Sequence, residues 1–279
     1  MCAIVEILIF SGTPNPKLTL APTEARTLCA LRGAAAPLPP SCRVLGFTGY
    51  KLADGTVLRP GNANIDRLIL ESATLEPAVR SHMLSVIRKP DEPCATSVED
   101  ARISPNATDS SACGKPVVGP DDPSKVHYAP ATDDRGCFET KQNENNCYDY
   151  GSDIATMSFA QPGRGSGVCA RSARPCVKNT CDDVRRGAES DGLVWAGTEL
   201  PTSLPEEGHY VSLHIWPNSN FHWLRMDANM LWSHKPGGSP VRNVDNKGKK
   251  ITDPAKADVS PWSTHCGYMR VVPSNVTIY

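Results

Sequence analysis

The sequence has no basic run, no surplus of either charge and no stretch approaching the roughly 20 apolar residues that cross a bilayer. Its 29 Lys and Arg offset 30 Asp and Glu, a formal net charge of -1. These absences argue against a nucleic-acid surface, an anionic-membrane footprint and a membrane-spanning helix. Residues 1–10 are apolar but lack a basic n-region, include Glu6 and have no small-residue cleavage site before Ser11-Gly12. They read as a strand, so an export signal is expected to have been removed before this numbering begins. The five histidines from His209 to His265 come without HExxH or a paired CxxC. No metal or cofactor is therefore expected.

Cysteine, by contrast, is abundant. Eleven in 279 residues is high for a cytosolic enzyme, and Asn106-Ala107-Thr108 and Asn275-Val276-Thr277 are glycosylation acceptors. A secreted, extracellular protein follows, with a peptide or glycopeptide partner. An odd count also leaves one thiol over if the rest pair, whether buried, intermolecular or reactive.

Hydrophobic residues make up 39% of the chain, enough for a normal core, and the length favours two domains. Residues 1–90 read as a small α/β domain. A buried strand runs over Ala3–Ile9 and is followed by Ser11-Gly12-Thr13-Pro14-Asn15-Pro16 turn chemistry. A helix follows from Thr23 to Leu31, then strands over Val44–Leu52 and Thr56–Leu58 around Asp54-Gly55, and a helix carrying Leu75, Val79, Met83 and Ile87. Residues 91–136 read as a Pro/Ser/Asp-rich linker pinned by Cys94 and Cys113, or as an arm wrapped on either domain.

Residues 137–279 read as a helix-plus-antiparallel-sheet domain, giving an α+β fold overall. Asn146 caps a helix expected to reach Phe159, with Cys147, Tyr150, Ile154 and Met157 on one face. Thr180 starts a second helix that Gly192 closes. Strands are expected over Leu193–Ala196, His209–Ile215 and Phe221–Asp227.

Cys147, in a first helical turn, is the candidate nucleophile, because unpaired amides and the helix dipole there favour a thiolate. A depressed pKa is the expectation. His209, opening a strand, is the candidate base. The third member depends on strand parity. His222 qualifies if Val211, Leu213 and Ile215 face the core with Leu224 and Met226, and Asp227 qualifies if Phe221 and Trp223 face it instead. Gln142, Asn143 and Asn145 are candidate oxyanion donors, with Gln142 favoured.

Ile7 to Pro16 resembles an FSGxPNP opening of uncharacterised proteins. The strings Asn145-Asn146-Cys147-Tyr148, Phe159-Ala160-Gln161-Pro162-Gly163, Phe221-His222-Trp223, Trp232-Ser233-His234-Lys235-Pro236-Gly237-Gly238 and Ile251-Thr252-Asp253-Pro254 resemble a second uncharacterised group. The layout of helix-leading cysteine, strand histidine and hairpin polar residue is similar to papain-like, NlpC/P60-type cysteine hydrolases. That resemblance implies thiol-dependent amide hydrolysis. Cys147 nevertheless lacks the Gly-Ser-Cys-Trp of papains and the Asp-Cys-Ser of NlpC/P60.

Two functions therefore stand. One is a secreted thiol hydrolase or transamidase acting on a peptide, isopeptide or peptidoglycan amide. The other is a non-catalytic disulfide-rich binding protein with a defence, toxin or matrix role, whose Trp195, Trp216, Trp223, Trp232 and Trp262 either stack on ligand or pack the core.

Overall fold

The computed structural model describes residues 2–34, 47, 49–87, 137–138, 141–170, 173, 176–239 and 241–279. The 91–136 segment with Cys94, Cys113 and the Asn106 acceptor lies outside the described residues, as does the start of the strand expected from Val44. The chain divides into two compact units, residues 1–10 with 14–97, and residues 11–13 with 98–279. The tripeptide Ser11–Thr13 thus groups with the second unit, although both its sequence neighbours belong to the first.

In the first unit β1 (Ile4–Leu8), β2 (Lys17–Thr19), β3 (Gly49–Leu52) and β4 (Val57–Leu58) form an antiparallel sheet in the order β2-β1-β3-β4. Asn15 closes the loop after β1 by accepting from the Ile9 and Phe10 amides, both at 2.8 Å. α1 (Pro22–Leu31) starts at Pro22 rather than Thr23, with the Glu24 carboxylate accepting from the Ala21 amide at 2.8 Å. α2 (Ala63–Ser72) has no counterpart in the sequence reading. Asn62 caps it, and Ile65, Ile69 and Leu70 are buried. α3 (Pro77–Ile87) buries Val79 and Met83 as the spacing predicts. Cys2 and Cys29 are bridged, tying the N-terminus to α1.

The second unit holds α4 (Cys147–Ser152) and α5 (Cys181–Ser190). Its sheet comprises β5 (Val194–Gly197), β6 (His209–Trp216), β7 (Asn220–Met226), β8 (Trp232–His234) and β9 (Thr264–Val271), in the order β5-β9-β6-β7-β8 and antiparallel throughout. The fold is α+β, with antiparallel sheets and several disulfides. Among the described residues no helix is long and apolar enough to cross a membrane.

Asn146 caps α4 as expected, its side chain accepting from the Tyr148 and Asp149 amides. The helix ends at Ser152, however, and not near Phe159. Asp153 turns left-handed with φ 54°, and the buried Asp149 carboxylate draws the following chain back by accepting from the Thr156 hydroxyl and the Ala160 amide. α4 lies close to the hairpin because Gly151 carries no side chain there. A Cβ at that position would sit 3.3 Å from the Trp223 Cβ. Leu213 and Ile215 stand opposite Trp223 and Phe221, and these four pack with Cys147, Tyr148, Ile154, Val184 and Ala188 in one core.

Cys181 and Cys266 form a disulfide that joins the start of α5 to β9 across 85 residues. Loop-closure entropy for a loop of that length amounts to about 4.6 kcal/mol. Replacing both cysteines by serine should lower unfolding stability by roughly that amount in urea titration. A loss below about 1 kcal/mol would contradict this.

Candidate functional site

The site forms where β7 runs past the end of β8. Leu224, Arg225 and Met226 pair with His234, Ser233 and Trp232, so β8 covers only the second half of β7. The N-terminus of α4 and the tripeptide Ser11–Thr13 gather around the first half.

Cys147 is the free cysteine among the described residues, and it is fully buried. Its Sγ lies 3.9 Å from the Phe221 carbonyl, with the Ser11 hydroxyl and the Trp223 amide also in bonding reach. Burial pushes the thiol up to about 12, against the lowering influence of those two groups and of Lys235. The expectation of a depressed pKa fails here because desolvation outweighs the pull of a six-residue helix.

His209 does not join Cys147. Extending the pairing of Val211 with Arg225 sets His209 opposite Asp227, six residues along β7 from Phe221, or about 20 Å at the rise of a strand. Its Nε2 donates to the Gly151 carbonyl at 2.6 Å, near the far end of α4. Parity sets Phe221 and Trp223 toward the core, the arrangement in which Asp227 was the expected third member. Asp227 instead accepts from Arg225 at 3.3 Å, and the same guanidinium reaches Asp153 at 3.4 Å and covers the Tyr150 ring. Gln142 donates to the Gly238 carbonyl at 2.8 Å, so its amide is used in holding that loop.

His222 does reach the site, from the other face of the sheet. That face carries a row of imidazoles, with His214 opposite both His222 and His265 and His234 beside His222. Hydrogen-bond logic fixes the protons. The Val244 carbonyl only accepts, so the His234 Nε2 donates to it at 3.1 Å and leaves Nδ1 as acceptor. His222 Nε2 then donates to His234 Nδ1 at 2.8 Å, and Ser11 Oγ donates to His222 Nδ1 at 2.6 Å. The Gly237 amide donates to Ser11 Oγ at 3.2 Å. The result is a directed chain from Ser11 through two neutral histidines to a carbonyl, and the hydroxyl takes the imidazole acceptor that a thiol nucleophile would use.

Sequence reasoning missed Asn220 altogether, and missed that Asn146 and Gln161 hold the tripeptide. Asn220 Oδ1 accepts from the Ser11 and Gly12 amides and from the Trp262 indole, each at 3.0 Å, while its Nδ2 donates to the Thr13 hydroxyl at 2.6 Å. The Gly12 carbonyl accepts from Asn146 Nδ2 at 2.9 Å and from Gln161 Nε2. Lys235, also buried, donates from Nζ to the carbonyls of Gln142, Asn145 and Gly237 at 2.5–2.6 Å. A run of polar residues flanking apolar strands was the available signal, but nothing in the spacing linked them to Ser11.

Burial lowers His234 to about 3, with Arg242 adding to the effect, and moves His222 and His214 in the same direction. Each folded-state pKa lies below the unfolded value near 6.5, so the unfolded chain binds more protons between those limits. Stability contributed by a neutral imidazole is therefore present above pH 6.5 and lost as pH falls toward 3. His234→Gln should reduce the slope of unfolding free energy against pH, measured between about pH 4 and 6, by about 1.4 kcal/mol per unit relative to the wild type. An unchanged slope would show that His234 is charged or exposed.

No family model and no solved structure matches the chain. It is similar to insoluble matrix shell protein 1 of Ruditapes philippinarum, with 39% identity over 132 residues covering 47% of this chain and 82% of that protein. With that identity over most of the shell protein's length, this chain belongs to the family of insoluble matrix shell protein 1.

Proposed function

We propose that this chain is a non-catalytic, disulfide-braced component of an extracellular matrix. The observation that carries the reading is its 39% identity with a protein named for an insoluble shell matrix. The site geometry supports it. Cys147 is sealed from solvent with a raised pKa, and His222 spends its acceptor nitrogen on Ser11. Trp223, Trp232 and Trp262 are fully buried and Trp216 nearly so, which makes them core rather than a stacking surface. Trp195 alone is half-buried, with Arg185 over its ring at 4.8 Å. Disulfides at Cys2–Cys29, Cys169–Cys176 and Cys181–Cys266 suit an oxidising compartment. Asn275 and Thr277 of the second glycosylation acceptor are exposed, as modification requires.

One observation favours a second reading, thiol-dependent amide hydrolysis with Cys147 as nucleophile. Two side-chain amides, Asn146 and Gln161, converge on the Gly12 carbonyl oxygen, while the free thiol of Cys147 is in reach of the preceding Ser11 hydroxyl, an arrangement like that an acyl-transfer site aims at an oxyanion. In that reading the tripeptide would have to leave before His222 could serve Cys147.

Two measurements separate the readings. Antibody to the chain should label the organic material left insoluble when mineral is dissolved from the source tissue. The folded protein should take up no iodoacetamide at Cys147 at about pH 8, near the ordinary thiol pKa, until it is denatured. Recovery only from soluble cell extract overturns the matrix reading. Ready alkylation of native Cys147 accompanied by peptide hydrolysis overturns the non-catalytic one.

A further inference from the structure

We infer that Ser11-Gly12-Thr13 is an internal plug, whose Ser11 hydroxyl is lodged between the Cys147 thiol and the His222 imidazole and withholds from each other two groups that pair once it is displaced. Such a plug goes beyond the matrix reading, in which the chain as folded is inert. What the opened site would do to a substrate rests on the thiol-hydrolysis reading.

One oxygen touches both groups. Ser11 Oγ is 2.6 Å from His222 Nδ1 and within bonding reach of the Cys147 thiol. The other imidazole nitrogen is committed, because Nε2 donates to His234 Nδ1 at 2.8 Å and the His234 Nε2 donates in turn to the Val244 carbonyl at 3.1 Å. His234 is thus a positioning residue that keeps Nδ1 of His222 as the acceptor facing the site, the tautomer able to take a proton from a thiol. The first turn of α4 sets the sulfur beside the Phe221 carbonyl and the Trp223 amide, on the part of β7 that β8 leaves uncovered. Asp149 and Lys235 are the other charged groups acting on the sulfur, with opposite signs. With the hydroxyl gone, the thiol proton passes to Nδ1 and a thiolate faces an imidazolium. The Asn146 and Gln161 amides, freed from the Gly12 carbonyl, are then open to another carbonyl. In the hydrolysis reading the thiolate adds to an amide carbonyl, the amine leaves with the proton from Nδ1, and water releases the acyl group from sulfur.

The segment is seated as a plug has to be. Asn220 Oδ1 accepts from the Ser11 and Gly12 amides at 3.0 Å, and its Nδ2 donates to the Thr13 hydroxyl at 2.6 Å. Gly12 passes against the Phe221 ring, where a Cβ would lie 2.3 Å from the nearest ring carbon. Asn220 and Phe221 are at most 1% exposed, so neither wall can swing aside into solvent. A peptide admitted in place of the plug meets the same ring, which makes a glycine-bearing peptide the class of ligand that fits. Ser11, Cys147, His222 and His234 are fully buried, and because Ser11 touches the sulfur, the plug itself supplies part of that enclosure.

The experiment uses the full chain and two ways of displacing the segment. Gly12→Leu crowds it off the Phe221 ring, and Asn220→Ala withdraws the bonds to all three of its residues without crowding. Circular dichroism verifies folding, and peptide mass follows iodoacetamide uptake at Cys147 at about pH 7, below the ordinary thiol pKa. Either folded variant should be fully alkylated over a time in which the native wild type takes up none. Adding His222→Gln should slow that alkylation at least about tenfold, the thiolate lost when a pKa near 7 returns to about 8.5. Simple exposure of a core thiol would not respond to His222. If neither variant folds, Ser11→Ala decides, since it removes the hydroxyl and keeps the Gly12 seat. The S–H stretch of Cys147, identified by infrared difference against Cys147→Ser, should then move to lower frequency as the thiol donates to Nδ1. The plug is overturned by folded variants that stay unreactive, by alkylation indifferent to His222→Gln, or by an unmoved S–H band. A last arm incubates the opened variants with synthetic Ile-Phe-Ser-Gly-Thr-Pro-Asn, the sequence of residues 9–15, and follows cleavage by mass. Alkylation that depends on His222 with the peptide left intact would keep the plug and remove the hydrolysis reading. Cleavage by a variant whose alkylation ignores His222 would do the reverse.

Discussion

The buried carboxamide of Asn146 ties three parts of the second unit together. Its oxygen accepts from the Tyr148 and Asp149 amides and so starts α4, while its nitrogen donates to the Ala160 and Gly12 carbonyls at 2.8 and 2.9 Å. One side chain thus sets the helix that presents Cys147, anchors the loop returning from that helix and fixes the tripeptide. All of these bonds lie out of water, where an unmet donor or acceptor costs roughly 1–3 kcal/mol. Removing any one element therefore strands groups on the others. Asp149, in the same first turn, repeats the logic by accepting from the Asn146 amide and from Thr156 and Ala160.

Polar burial of this density usually marks either a functional site or a device for a unique fold. Two features favour the second. The histidine chain ends at the Val244 carbonyl and begins at a hydroxyl that is itself part of the occupant, so no acceptor is left for a substrate proton. The thiol, raised by burial, behaves as a small core residue packed with Phe221 and Trp223. Specific polar contacts of this kind hold the Ser11–Thr13 segment in register.

Local chemistry made much of the fold legible. The Asp54-Gly55 turn, the Asn146 and Thr180 caps, and the β6–β7 hairpin all follow from residues adjacent to the elements they shape. What sequence reasoning lost was set by distant partners. α4 stops early because Asp149 bonds the chain up to eleven residues on, which helical periodicity does not register. β9 runs unbroken through Gly267, a residue that weakens a strand pattern in the sequence. The face occupied by His222 hinged on a register that the loop Pro217–Ser219 does not dictate. Ser11-Gly12 reads as turn chemistry from its composition, yet its partners Asn220 and His222 lie more than two hundred residues away. Cys147 was visible as a first-turn cysteine, but its burial was not.

The central claim is that Ser11–Gly12–Thr13 is held inside the second unit as a bound ligand would be. Native-state hydrogen exchange at the Ser11 and Gly12 amides tests it most directly, because both are donated to Asn220 and enclosed. Protection matching that of the β6–β7 hairpin amides, and lost in both places only on global unfolding, is the predicted result. Exchange of these two amides at the rate of an exposed loop, with the hairpin still protected, would contradict it.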